Sequence, residues 1–336
     1  MRRRRLLLSS VLLTVSLGIT EVVLRWAWGF GSPVLYEWDG RFEYRMVPGQ
    51  RVMRFGKLIE TDSRGLRGPE LPTRQTDQAE LRILVVGDSV VNGGSHVDQS
   101  RLGTVLLQEF LDERLTQPVV VINVSANSWG PANQVEFLKA FGTFDADIAI
   151  VVASSHDLVD VPVHSAQARA NSGNTFNAPW SALTEVAGLA WARLAPSGDA
   201  APPDENDTKL AAECLTSFEE LLSFLNANTK KVAVAMHWDR NEQAANATRP
   251  AHATLVEAAT QAGAAIWELG PAFIAAEANP EKVLLGSPRG SLIAVPTHVM
   301  HDRIHPTEFG QLVLARELLN RLENSGWYAD VTAPGP

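Results

Sequence analysis

The segment Arg82-Ile83-Leu84-Val85-Val86 is apolar after its first residue and stops at Gly87-Asp88-Ser89. A short continuous apolar run closed by a glycine reads as a strand buried on both faces, the pattern of a parallel sheet. Parallel strands need long crossover connections, usually helices, so this one run already narrows the fold to an α/β class. It also places a hydroxyl, Ser89, just past the carboxyl end of the strand, where open α/β sheets put their ligands.

The rest of the chain keeps the same rhythm. Leu102, Val105, Leu106, Phe110 and Leu111 recur at helical spacing and predict a helix over 101–115. Val119–Val124 reads as the second strand, followed by a helix after Pro131 that carries Val135 and Leu138. Ile148–Ala153 is the third strand, 209–227 a long helix, Lys231–Met236 the fourth strand, 251–262 a helix and Ala264–Leu269 the fifth strand. The last helix, over 307–324, puts Phe309, Leu312, Val313, Leu318, Leu319 and Leu322 on one face. Strands alternating with helices imply a parallel sheet with right-handed crossovers. The expected architecture is a three-layer α/β/α sandwich around a five-stranded parallel sheet of order 2-1-3-4-5.

The N-terminus sets where this domain resides. Arg2 to Arg5 precede Leu6–Thr20, fifteen residues without a charge; Glu21 interrupts, Val22-Val23-Leu24 continues, and Arg25-Trp26-Ala27-Trp28 closes. The arginines hold the start of the helix in the cytoplasm and send the remainder across. Two readings stand: a signal peptide, for which a poor cleavage site follows Gly18, and an uncleaved anchor, which reaches spanning length only by including Glu21. The anchor is favoured, because Glu21 and Arg25 lie one turn apart and can pair at the interface while Trp26 and Trp28 suit the headgroup belt.

Formal net charge is −9; without the four leading arginines, 25 basic residues face 38 acidic ones, a charge of −13. An acidic body argues against nucleic acid as a partner. Cys214 is the only cysteine, so no intrachain disulfide and no cysteine-based metal site can form, and its apolar helix face reads as packing. Four divisions follow: a membrane segment at 1–28, an irregular collar at 29–78, the α/β domain at 79–326 and a tail at 327–336. An insertion at 158–208, too long for an ordinary connection, leaves the sheet on the side of Ser89 and is read as a cap over the site, with a disordered linker the alternative for its proline-rich part at 196–207.

Downstream stands Asp302-Arg303-Ile304-His305-Pro306. Ser89 needs a base, His305 suits that task near neutral pH, and Asp302 can fix the imidazole tautomer; together they are the parts of a hydrolytic relay. His301 is an adjacent competitor. No metal or other cofactor is required. Gly-Asp-Ser after the first strand with a late Asp-x-x-His resembles the SGNH (GDSL-type) hydrolases over roughly residues 79–326. The resemblance implies a flavodoxin-like sheet and cleavage or transfer of acyl esters. It also implies an oxyanion site built from the Ser89 N–H and two further blocks, both altered here. In Asn123-Val124-Ser125-Ala126-Asn127-Ser128-Trp129-Gly130, Ser128 takes the place of the usual glycine, with Gly130 the alternative donor. In Ser154-Ser155-His156-Asp157 the usual asparagine is His156, which as a neutral ring can still donate one N–H, and Asp157 is expected to order the loop. Thr61–Gly68 resembles a segment found upstream of the catalytic strand in membrane-anchored members; its residues read as a turn-rich connector. His237-Trp238-Asp239, at the end of the fourth strand, reads as packing.

Two functions follow as expectations. One is a tethered extracytoplasmic serine esterase or O-acyl (acetyl) transferase, whose location points to acyl esters of cell-envelope polysaccharide. The other is a non-catalytic carbohydrate-binding or scaffold protein on the same fold.

Overall fold

The computed structural model describes residues 2–72, 74–75, 80–162, 175–194, 208–281 and 298–328. The chain opens with α1 (Arg2–Trp28), 27 residues with none buried and a most apolar window of mean hydropathy 2.0. By length and composition it can cross a bilayer. Glu21 is not stranded on it: its carboxylate accepts from Arg25 Nε at 2.6 Å.

The collar differs from the irregular connector expected at 29–78. It folds into two antiparallel hairpins, β1 (Tyr36–Asp39) with β2 (Glu43–Met46), and β3 (Arg51–Arg54) with β4 (Lys57–Glu60). Phe55 and Gly56, at φ 50° and 73°, supply the two positive-φ positions of a tight hairpin turn between β3 and β4. The aromatic residues that suggested irregularity are the reason the collar is ordered. Tyr36, Phe42, Tyr44 and Met46 are buried against the main domain. The Phe42 ring meets Phe137 at 5.1 Å, Trp129 at 6.0 Å and Phe141 at 6.1 Å between centroids.

The main domain follows the predicted rhythm: β5 (Leu81–Gly87), α2 (Ser89–Asn92), α3 (Gly103–Asp112), β6 (Val119–Ser125), α4 (Pro131–Phe141) and β7 (Ile148–Ser154). After α5 (Ala182–Leu194) come α6 (Thr208–Asn228), β8 (Lys231–His237), α7 (Arg240–Ala245), α8 (Pro250–Gln261), β9 (Ala265–Glu268), α9 (Gly270–Ala278) and α10 (Glu308–Ser325). The five strands are all parallel in the order β6-β5-β7-β8-β9, which is 2-1-3-4-5 counted within the domain. The chain is therefore an α/β three-layer sandwich of the flavodoxin-like order. Because β5 and β7 are central, every one of their residues is buried, and alternate side chains feed two separate cores. Leu84 and Val86 point into the layer of α4, α6, α8 and the collar. Ile83 and Val85 point into the layer of α3, α9 and α10.

The short helices α7 and α9 are absent from the sequence reading; they fill connections where six to nine residues give too little periodicity to register. The insertion also departs from expectation. Residues 163–174 and 195–207 lie outside the described residues, but residues 175–194 pack on the collar and α1 and none of them lines the cavity beside Ser89. Tyr36 N donates to Thr175 O at 2.9 Å, Phe176 packs on Tyr36, Trp38 and Tyr44, and α5 leans on α1. Aromatic burial on the collar draws it there, so a cap over Ser89 finds no support in residues 175–194.

Phe42 is fully buried at the seam between collar and domain. Phe42→Ala is expected to lower unfolding stability by about 3–5 kcal/mol, the usual cost of an emptied aromatic site. Denaturant unfolding should show a lower midpoint at an unchanged slope.

Candidate active site

Ser89 opens α2 directly after the end of β5. Asp88 is the N-cap of that short helix, its carboxylate accepting from Val90 N at 2.8 Å, and Gly93 closes it in the left-handed region at φ 71°. Gly87 is required for the approach: a Cβ there would stand 2.6 Å from Val91 Cγ2. Polar side chains in the layers above and below hold α2 in place. Gln311, on the buried face of α10, donates to Val90 O at 2.7 Å and accepts from Gly103 N at 2.7 Å. Asn123 Nδ2 reaches Thr104 Oγ1 at 3.2 Å, and Asn92 Nδ2 donates to Ser125 O at 3.2 Å.

The second arm is the loop at 298–307. Ser89 Oγ lies 2.8 Å from His305 Nε2, and His305 Nδ1 lies 2.7 Å from Asp302 Oδ2. The carboxylate contact fixes the ring proton on Nδ1, so Nε2 accepts from the serine hydroxyl. Asp302 Oδ1 takes the N–H groups of Ile304 and His305, each at 2.9 Å. Partial burial works against the charge of Asp302, but these hydrogen bonds prevail and bring its pKa down to about 2. It is thus ionised throughout the neutral range. His301 is not the base; its N–H donates to His305 O at 2.8 Å and its ring stacks on His96 at 4.2 Å.

The loop is pinned to the end of β8. His237 is fully buried, which pushes its pKa down to about 4, and the neutral ring donates from Nε2 to Ile304 O at 3.0 Å. Arg303 Nε donates to the buried Asp239 at 2.9 Å, and Arg240 N donates to Arg303 O at 2.8 Å. Trp238 packs, with its indole N–H on Glu268 at 2.8 Å. His237-Trp238-Asp239 therefore serves the site from behind.

Four residues expected on the oxyanion side meet different fates. Ser128 lines the cavity and holds a left-handed φ of 55°, the conformation a glycine would adopt freely. The N–H groups of Ser89 and Ser128 have no acceptor among the described residues. Gly130 is corrected as a donor: its N–H is taken by Asn133 Oδ1 at 3.1 Å, and it is glycine because a Cβ would fall 1.9 Å from Asp160 O. His156 is corrected as well. It does not line the cavity, and its Nε2 lies 4.0 Å from Asp160 Oδ2. It sits in the 3-10 turn over Ser155–Leu158. Asp157 orders that turn, accepting from Ser154 N at 2.6 Å.

The cavity of about 340 Å³ beside Ser89 is lined by Gly93, Gly94, Ser95, His96, Asn127, Ser128, Asp302, His305 and Pro306. A larger one of about 480 Å³, between the collar and α3, lacks the serine and histidine. Several site-building residues escaped sequence reading. Arg67 is buried and spends its guanidinium on the carbonyls of Asn92, Gly94 and Val97, fixing the loop that forms one wall. Tyr44 OH donates to Asn127 O at 2.7 Å and Trp129 Nε1 to Tyr44 O at 2.9 Å, fixing the other wall. Gln311 alone left a signal, a polar residue on an otherwise apolar helix face.

Compared with known proteins, the sequence matches no family model and no curated protein at a significant level. Solved structures do resemble it. One is an acetyl xylan esterase, AlAXEase, at 12% identity over 72% of this chain and 100% of that one, with a TM-score of 0.45. TesA follows at 15% identity over 72% and 98%, TM-score 0.43. A lipase/acylhydrolase from Enterococcus faecalis stands at 11% over 73% and 96%, TM-score 0.42. Likenesses of this degree assign no activity; the sheet order and the site geometry stand on their own.

Close to the site lie three acids, Asp88 and Asp157, which are buried, and Asp160, which is partly buried. Burial raises the pKa of each, and for Asp157 burial and the neighbouring Asp88 push it up to about 8. An unfolded carboxyl ionises near pH 4. Between about pH 4 and 8 the unfolded chain has therefore lost protons that the folded one retains, and stability falls as pH rises through that window. Unfolding midpoints measured at intervals from pH 5 to 8 should decline, and Asp157→Asn, which has no proton to lose, should flatten the decline.

Proposed function

We propose that the protein is a serine esterase that cleaves acyl esters through an acyl-enzyme on Ser89. The observation that carries this reading is the unbroken line from Ser89 Oγ to His305 to Asp302, at 2.8 and 2.7 Å, opening on a cavity. As Ser89 Oγ attacks the ester carbonyl carbon, His305 Nε2 takes its proton, and the charge on the ring is balanced by ionised Asp302. The tetrahedral adduct collapses, the bond to the alcohol oxygen breaks, and His305 returns the proton to that leaving group. Water then attacks the acyl-enzyme in the same way and releases the acid. If a sugar hydroxyl replaces water, the outcome is acyl transfer with the same residues.

The oxyanion needs donors placed in advance. The N–H groups of Ser89 and Ser128 are two candidates, and the Asn127 side chain, which lines the cavity and has no acceptor for its amide nitrogen among the described residues, is the third. It would take the place of the donor expected from His156, which does not line the cavity.

The reading extends to location. With Arg2–Arg5 held inside, α1 anchors the domain on the outer face of a membrane. The bonds from Ala182 N and Leu183 N to Glu21 and from Phe55 N to Trp28 O, each at 2.9 Å, make the end of the helix part of the folded body, which suits an uncleaved anchor. An outward-facing tethered esterase meets cell-envelope polysaccharide, so acetylated glycans are the preferred substrate class.

Turnover of p-nitrophenyl acetate by the detergent-solubilised full chain tests the core of this. Ser89→Ala should lower kcat by roughly 10³-fold or more; equal rates would overturn the serine mechanism. Asn127→Ala should lower kcat about 10²-fold with KM little changed, whereas Ser128→Gly, which keeps its N–H, should stay within about threefold.

A further inference from the structure

We propose that α5 lies in the outer leaflet beside α1 and gives the protein a second membrane contact; the proposal rests on the reading of α1 as an anchor. The 13 residues of α5, Ala-Leu-Thr-Glu-Val-Ala-Gly-Leu-Ala-Trp-Ala-Arg-Leu, carry one acid and one base. The helix is about 20 Å long, too short to span and of the length found in interfacial segments.

Its start is fixed to the membrane helix itself. Glu21 Oε1 accepts from Ala182 N and Glu21 Oε2 from Leu183 N, both at 2.9 Å, so an acid of α1 caps the first turn of α5. Glu185, the one acid of α5, is partly buried against Arg54 of the collar and accepts from Gly31 N. The same contacts explain why an apolar anchor tolerates Glu21: its charge is spent on Arg25 and on two backbone N–H groups at the level where the helix leaves the hydrocarbon. Beyond Glu185 the protein leaves α5 uncovered. Leu189 is 48% exposed, Trp191 74% and Leu194 81%, and Trp180 just before the helix is 89% exposed. In a water-facing position four large apolar side chains on one short segment would be costly. Here they continue the exposed apolar surface of α1, where Trp26 is 90% and Trp28 47% exposed. Exposed tryptophans at the outer end of an anchor and on the segment tied to it suit a headgroup belt, and a short helix held beside that end fits the interface. Lipid is the occupant this continuity favours; a second copy of the chain would have to cover α5 without displacing the lipid around α1.

The test places single nitroxide labels in the full chain, in a Cys214→Ser background, reconstituted in phosphatidylcholine–phosphatidylglycerol nanodiscs. Labels go at Leu12 on α1, at Leu189, Trp191 and Leu194 on α5, and at the exposed Asn226 on α6 as the aqueous reference. Collision with oxygen is compared with collision with a water-soluble nickel chelate. The expected result is oxygen-dominated relaxation at Leu12 and at the three α5 positions, and nickel-dominated relaxation at Asn226. Lipid exposure at Leu12 with nickel-dominated relaxation on α5 would overturn this proposal and leave the anchor standing. Nickel-dominated relaxation at Leu12 would remove the anchor reading itself, and this proposal with it. Shielding of the α5 labels from both reagents would mean a protein partner and would equally overturn it.

Discussion

The contact of Ser89 Oγ with His305 Nε2 joins residues 216 positions apart at 2.8 Å, and everything chemical about the site depends on it. Neither residue can create that distance. Ser89 is placed by a central strand buried on both faces and by a capped turn of helix. His305 sits on a loop with no helix or strand of its own, so its position must be imposed. The end of β8 imposes it, through His237 on Ile304 O and Asp239 on Arg303. Both are buried polar groups, and in a low-dielectric surrounding an unmade bond to either would be expensive. That penalty is what keeps the loop in one place.

The collar does comparable work on the opposite wall. Its buried aromatics dock it to the sheet, and once docked it reaches both loops that line the cavity. Arg67 gathers three carbonyls of the loop after α2, while Tyr44 holds the loop that carries Asn127 and Ser128. The buried guanidinium donates to no carboxylate there; carbonyl dipoles satisfy its donors, and burial alone drops its pKa to about 10. The segment read as a linker between membrane and domain is thus part of the site's frame. It also joins α1 and α5 to that frame, through Arg54 and Glu185.

Where sequence reading succeeded, the signal was local. Strand and helix positions followed from periodicities that reflect which face is buried, and the strand order was the flavodoxin-like one of doubly wound sheets that the family resemblance implied. The boundaries agree within a few residues for α3, β6, β7, α6, β8, α8 and α10. Where it failed, a local pattern had two outcomes and a distant partner chose. Aromatics among glycines and prolines at 29–78 fit a loop or a pair of hairpins, and the docking surface around Phe137 selected hairpins. His156 could line the cavity or stand outside its lining, and in the 3-10 turn capped by Ser154 and Asp157 it stands outside.

The sequence by itself determined an α/β sandwich, because alternating buried strands and amphipathic helices have few other ways to hide their apolar faces. It also determined the chemical parts, a serine after the first strand and an Asp-x-x-His before the last helix. Only the tertiary structure decided that these parts meet, which backbone N–H groups remain open beside them, and that the collar, the end of α1 and α5 are tied into one frame. Periodicity records how each residue relates to the core, whereas a site is a relation between loops, set by side-chain bonds that span most of the chain.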